Sequence, residues 1–130
     1  MNLTITAVYT AIFALLIIPM SMQITLRRIA IGNVALGDGN DKDLKCKREV
    51  LRNFCEYVPL GLVLLAAYEL TFGSGSVAMS FGGLFLFSRV LHIIGLQHFG
   101  TPKVFAIAMV AQHSYFSLAA GMVLYELVVK

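Results

Sequence analysis

The feature that constrains this chain most is the run from Leu3 to Leu26, which carries no charged side chain. About 20 such residues, wound as a helix, cross the hydrocarbon layer of a bilayer. A second run, Val104 to Tyr125, is equally free of Asp, Glu, Lys and Arg. A soluble helix bundle needs a polar face on every helix, and neither run supplies one. Composition agrees: 58% of residues are hydrophobic and 13% charged, with a mean hydropathy of +0.82, whereas soluble domains carry roughly 25% charged residues. A chain of 130 residues is one domain on length alone. The expectation is an all-α integral membrane four-helix bundle spanning residues 1–130.

A cleaved leader would need a basic residue ahead of its apolar stretch and a small-x-small site after it. Neither is present, so the first run is expected to be a retained span, bent by Pro19. Arg27 and Arg28 close it. Gly37-Asp-Gly-Asn-Asp-Lys42 is the strongest turn signal in the chain. Its aspartates lack the twelve-residue pattern and terminal Glu of a calcium loop. A hydrated turn is expected instead, with Asp41 or Asp43 capping the next helix. That second helix should run from Leu44 to Phe72, a third from Val77 to Leu96, and a fourth from Lys103 to Val128. Breaks are expected at Thr71–Ser76 and at Phe99-Gly-Thr-Pro102. The spacings Ala78-x-x-x-Gly82 (with Gly83) and Ser117-x-x-x-Gly121 mark places where helices could approach closely.

Seven of the ten Lys and Arg residues fall between Arg27 and Arg52, and Arg89 and Lys103 flank the third connection. By the positive-inside rule the first and third connections are cytoplasmic and both termini face outward. The net charge of +3 sits beside apolar runs rather than on an exposed basic face, so no nucleic-acid partner is expected. Cys46 and Cys55 fall on opposite faces of one helix, roughly 13 Å apart along its axis. They are expected to be reduced packing residues.

The polar stripe of the second helix holds the chemistry. Lys45, Arg48, Glu49, Arg52, Asn53 and Glu56 share one side, opposite Val50, Leu51, Phe54 and Val58. One reading is an i,i+4 ladder in which Arg48, Arg52 and Glu56 satisfy one another. The other joins Arg48, Arg52, Asn53 and Glu56 to Arg89, His92, Gln97 and Lys103 in a cationic pocket at the inner membrane edge. Such a pocket suits an amphipathic anion, with arginines on its charged end. Nearby cations would also lower the pKa of a bound thiol. Singly, Arg89 and Lys103 read as snorkelling to lipid phosphates, and His92 as an interhelical donor. His98 reads as solvated, and His113 as a deeper member of an interhelical cluster. The three histidines offer no metal-ligand spacing, and no metal site is expected.

Gly37-Asp-Gly39, Asn53-Phe-x-Glu56-Tyr-Val-Pro-Leu60 and Arg89-x-x-His-x-x-Gly95, in a four-span chain of this length, resemble the MAPEG superfamily, the membrane-associated proteins in eicosanoid and glutathione metabolism. The chain is most similar to bacterial members, which implies a bacterial inner membrane. The resemblance implies a homotrimer binding glutathione between subunits, and thiol transfer or peroxide reduction on lipophilic small molecules drawn from membrane lipid. It implies that Asn53, Glu56, Tyr57 and Arg89 lie in the glutathione site, with His92 where eicosanoid-type members have tyrosine. Lys103 stands for the family's activating arginine and, with Arg89, is the implied catalytic group. Glu49 stands where the family has arginine, with Arg48 and Arg52 around it to hold the tripeptide. The second expectation is a non-catalytic relative that keeps the pocket for a lipid or small anion. A third, a proton-coupled exporter, would need an acidic residue inside a span; Glu56, Glu69 and Glu126 all lie towards helix ends.

Overall fold

The charge-free runs and the two between them do become four long helices. The structure is a computed structural model that describes residues 2–99 and 102–129, with side chains described for 2–97 and 102–129. Helix α1 covers Thr4–Ala30, α2 Lys42–Phe72, α3 Ser76–Ile94 and α4 Pro102–Val129. A short π-helical turn, Gly95–Phe99, prolongs α3. All four helices are long and apolar enough to cross a membrane. Helix α1 continues through Pro19 and α2 through Pro59. The break expected after Phe99 falls partly on residues 100 and 101, outside the described residues.

Helix α1 packs on α2 and α3, and α4 packs on the same two; among the described residues α1 and α4 do not pack on each other. The outside is apolar, as lipid requires: Leu15, Val63, Val110 and Leu127 are all more than 60% exposed. The interior is a column of rings. Phe13 meets Phe54 and Phe85, Phe85 stacks on Tyr115 at 4.8 Å, and Phe81 bridges Tyr115 and Tyr68. Without a hydrophobic drive between helices in lipid, close approach must come from small residues. Gly82 lets the Tyr9 ring lie on α3, where an added Cβ would come within 2.0 Å of it. Gly61 does the same for Phe85, at 2.2 Å, while its carbonyl accepts from the Tyr115 hydroxyl at 2.6 Å. The Ala78–Gly82 spacing thus marks a real contact. Within the chain the Ser117–Gly121 spacing makes no such contact, since Ser117 is exposed and nothing lies within 4 Å of a Cβ at Gly121.

The helix ends are fixed by two carboxylates. Asp41 caps α2, accepting from the Leu44 N–H at 2.7 Å, and takes a two-point grip from Arg27 at 3.0 and 2.6 Å. The Arg27 guanidinium and then the Leu44 N–H hold its carboxyl down at about 2. Left-handed backbone at Gly37, Gly39 and Asn40 turns the preceding loop. Helix α1 has no capping side chain of its own. Glu69, from the end of α2, serves instead: one oxygen accepts from the Ile5 N–H at 2.9 Å and from the Ser74 hydroxyl, the other from the Thr6 N–H and hydroxyl at 2.9 and 2.8 Å. A carboxylate facing the orphan N–H groups of a helix start is favoured by both hydrogen bonding and the helix dipole. Glu69 is therefore a buried structural cap.

Candidate functional site

Three inward stripes meet where α2, α3 and α4 cross. On α3 the buried positions Phe81, Phe85, Ser88, Arg89 and His92 recur at helical spacing, so Arg89 is carried into the interior and is 1% exposed. On α4 the buried stripe is Ala108, Gln112, Tyr115, Ala119 and Val123, with Gln112 its one amide. On α2, half-buried Asn53 and Tyr57 lie at the margin of the polar stripe that turns inward.

The Arg89 guanidinium is the centre of this cluster. One Nη donates to Asn53 Oδ1 at 2.7 Å, the other to Gln112 Oε1, and Nε reaches Ser88 Oγ at 3.5 Å. The guanidinium carbon lies 5.6 Å from the Tyr57 ring centre and 6.0 Å from that of Phe85. One turn on, buried His92 packs on Phe105 at 5.3 Å. Every acceptor around Arg89 is neutral, and among the described residues no carboxylate is within ion-pair distance of it. Burying an ion costs several kcal/mol even after relaxation, which two amide carbonyls only partly offset. Gln112 adds a second deficit: its Nε2 is buried and has no acceptor. The cluster thus carries donors in excess and a positive charge without a counter-charge, the chemistry that favours an anion.

The structure divides the residues singled out in the sequence. Asn53, Tyr57, Arg89 and His92 come together inside the bundle. Arg48, Arg52 and Glu56 lie on the exposed side of α2. There Arg52 meets Glu49 at 2.6 Å and Glu56 at 3.9 Å, so of the expected ladder of Arg48, Arg52 and Glu56 the Arg52–Glu56 rung forms, while Glu49 and not Arg48 is the second partner. Lys103 is exposed in the first turn of α4. Within one chain these groups form an interior cluster and an outer band. His113 is not the deeper residue expected; it is exposed, its Nδ1 2.7 Å from the Met109 carbonyl. Its neighbour Gln112 makes the interhelical contact instead, as the spacing of Ala108, Gln112, Tyr115 and Ala119 could have indicated. The side chain of His98 lies outside the described residues. Both cysteines are free thiols; Cys46 is half-buried, 3.4 Å from the Leu96 carbonyl, and Cys55 is exposed.

Four spans around a buried, anion-seeking guanidinium define a small polytopic membrane protein with an interior polar site. The MAPEG family model matches residues 6–124, and the chain belongs to that family. It is similar to the inner membrane protein YecN of Escherichia coli strain K12, 28% identical over 94 residues covering 72% of this chain and 71% of that protein. YecN of a second strain, Escherichia coli O6:H1, matches over the same share at the same identity.

Proposed function

We propose that the protein is a glutathione-dependent transferase or peroxidase of the inner membrane, acting on lipophilic electrophiles or hydroperoxides that arrive through the bilayer. In this reading it works as a homotrimer, with its charged end cytoplasmic and both termini outward. Membership of the family supports the choice of co-substrate, and the likeness to an inner membrane protein supports the location. The observation that carries the reading is Arg89, buried at 1% exposure with only neutral acceptors around it. Glutathione carries two carboxylates and an ionisable thiol, and the donor set fits such an anion: a guanidinium and the Gln112 Nε2 both lack a negative partner.

Glutathione, when bound, supplies a nucleophilic sulfur. The chain's own residues hold and polarise it. Arg89 binds an anionic group and Gln112 Nε2 donates a second hydrogen bond, while Asn53 and Tyr57 fix the guanidinium in place. A cation near 4 Å from an anion is worth about 4 kcal/mol at an effective dielectric constant near 20. Preorganised charge of this kind favours the ionised sulfur without reorganisation at the moment of reaction. Lys103 adds positive charge at the mouth. The stretch of α4 from Lys103 to Gln112 rises ~13 Å, comparable with an extended tripeptide of roughly 10 Å. The buried Phe85 ring, 6.0 Å from the guanidinium carbon, excludes water from the inner end.

The test is equilibrium binding of glutathione to purified protein, together with its conjugation to chlorodinitrobenzene. Folded protein in detergent that shows neither would overturn the reading. A second reading keeps the same pocket for a lipid or small anion without chemistry. It is favoured by Glu49, which stands in the outer band and engages Arg52 at 2.6 Å. A gain of glutathione binding in Glu49→Arg supports this second reading; unchanged tight binding supports the first.

A further inference from the structure

Two deficits in the interior cluster have one remedy. An arginine carries five N–H donors, and Asn53, Gln112 and Ser88 take one each. Gln112 Nε2 belongs to the same amide whose Oε1 accepts from Arg89, and it too is buried without an acceptor. Unused donors of the two residues therefore lie close together, around a charge that no carboxylate balances among the described residues. The acids of α2 are engaged elsewhere: Glu49 and Glu56 stand against Arg52, and Glu69 holds the start of α1. A water molecule would satisfy the hydrogen bonds and leave the charge uncompensated, whereas an anion removes both deficits.

The class of that anion follows from where the donors lie. Gln112 stands about ten residues into α4, ~15 Å along its axis, which is half of a hydrocarbon core roughly 30 Å thick. Arg89 is 1% exposed and Gln112 0%. An ion arriving there sheds its own water and gains only a few fixed donors in return. The cost of shedding water rises with the strength of hydration. It is smallest for large monovalent ions such as bromide and nitrate, greater for fluoride, and greatest for sulfate and phosphate. Around the guanidinium, Asn53 and Tyr57 are half-buried while Phe85, Ser88 and Gln112 are fully buried, which puts the way in on the α2 side.

We infer that Arg89 and Gln112 together hold one weakly hydrated monovalent anion inside the bundle when no peptide is bound, and that such anions compete with the co-substrate. The first half stands on the cluster alone. The competition rests on the glutathione reading above, because both guests need the same guanidinium.

The test is chlorine NMR on the whole protein in neutral detergent, where exchange of chloride with a protein site broadens its line. Ionic strength is held constant with sulfate, which screens the exposed arginines. The expected result is an excess broadening that bromide or nitrate removes at a concentration about fivefold lower than fluoride does. Gln112→Glu sets a carboxylate of the same shape against the guanidinium and should cut the broadening about fivefold. Asn53→Asp, at a half-buried position, should act likewise and serves if the first variant does not fold. Arg52→Gln, in the outer band, should leave the broadening unchanged, and glutathione should remove it at the concentration at which it binds. Absence of excess broadening overturns the proposal and assigns Gln112 Nε2 to a buried water. Broadening that survives both acidic variants, or that fluoride removes as readily as bromide, also overturns it, since the ion would then sit on the surface. Glutathione that binds without displacing chloride overturns the competition. Chloride binding in a protein that binds no glutathione upholds the anion site and overturns the co-substrate reading alone.

Discussion

Replacing Arg89 with methionine separates a residue that binds from one that merely builds. Arg89 makes two hydrogen bonds to amide carbonyls and lies near two aromatic rings. Charge-assisted hydrogen bonds contribute about 1.5–3 kcal/mol each, and a desolvated cation over a ring about 0.5–2 kcal/mol. Against this stands the several kcal/mol that a buried ion without a counter-charge costs. The two sides nearly cancel, and methionine fills similar volume without a charge. Arg89→Met should therefore unfold within about 2 kcal/mol of wild type in detergent denaturation. Glutathione binding behaves differently, because there the guanidinium's full attraction is lost. A figure of about 2–4 kcal/mol, bounded by the Coulomb estimate near 4 Å, corresponds to roughly 30- to 1,000-fold weaker binding. Calorimetric titration and denaturant melts on the same preparation read both quantities. A variant that binds glutathione as wild type does, or that loses about 4 kcal/mol or more of stability, would refute the reasoning and make Arg89 a strut.

Two further outcomes test the helix ends. Glu69→Gln places an NH₂ group against donors that now share one carboxylate oxygen, so thermal stability should fall by about 2–4 kcal/mol; a smaller loss than that of Thr6→Val, which deletes a single hydroxyl partner, would contradict the capping role. Asp41 has its folded-state pKa lowered to about 2 from an ordinary 3.8, so its contribution is complete above about pH 4 and is lost as pH falls towards 2. Melting temperature measured from pH 6 to pH 2 should drop over that window, and Asp41→Asn should flatten the drop.

The spans were legible because lipid imposes one rule on every residue of a helix, and charge-free runs record it directly. The Asp41 cap was equally legible, since a cap and its helix are neighbours in sequence. Glu69 was not. Its partners Ile5 and Thr6 lie far away in the chain, and only the antiparallel packing of α1 on α2 brings them near. The polar stripe of α2 was found but read as one surface. It is too wide for that: Asn53 at one margin turns towards α3 and α4, while Arg48 at the other turns towards α1. Gln112 could have been found by stepping along α4 from Ala108 at intervals of four, three and four. His113, next to it, is turned about 100° away, and that single step decides which of the two faces Arg89.

Gly61 sets a limit on everything built above it. The ring of Phe85 rests against a backbone stripped to hydrogen, and Phe85 stands one turn before Arg89 on the same helix. The depth at which the guanidinium sits is thus gauged by a carbon that is not there. Any side chain at that position would act as a shim, tilting α3 outward and loosening the grip of Asn53 before touching a single polar group.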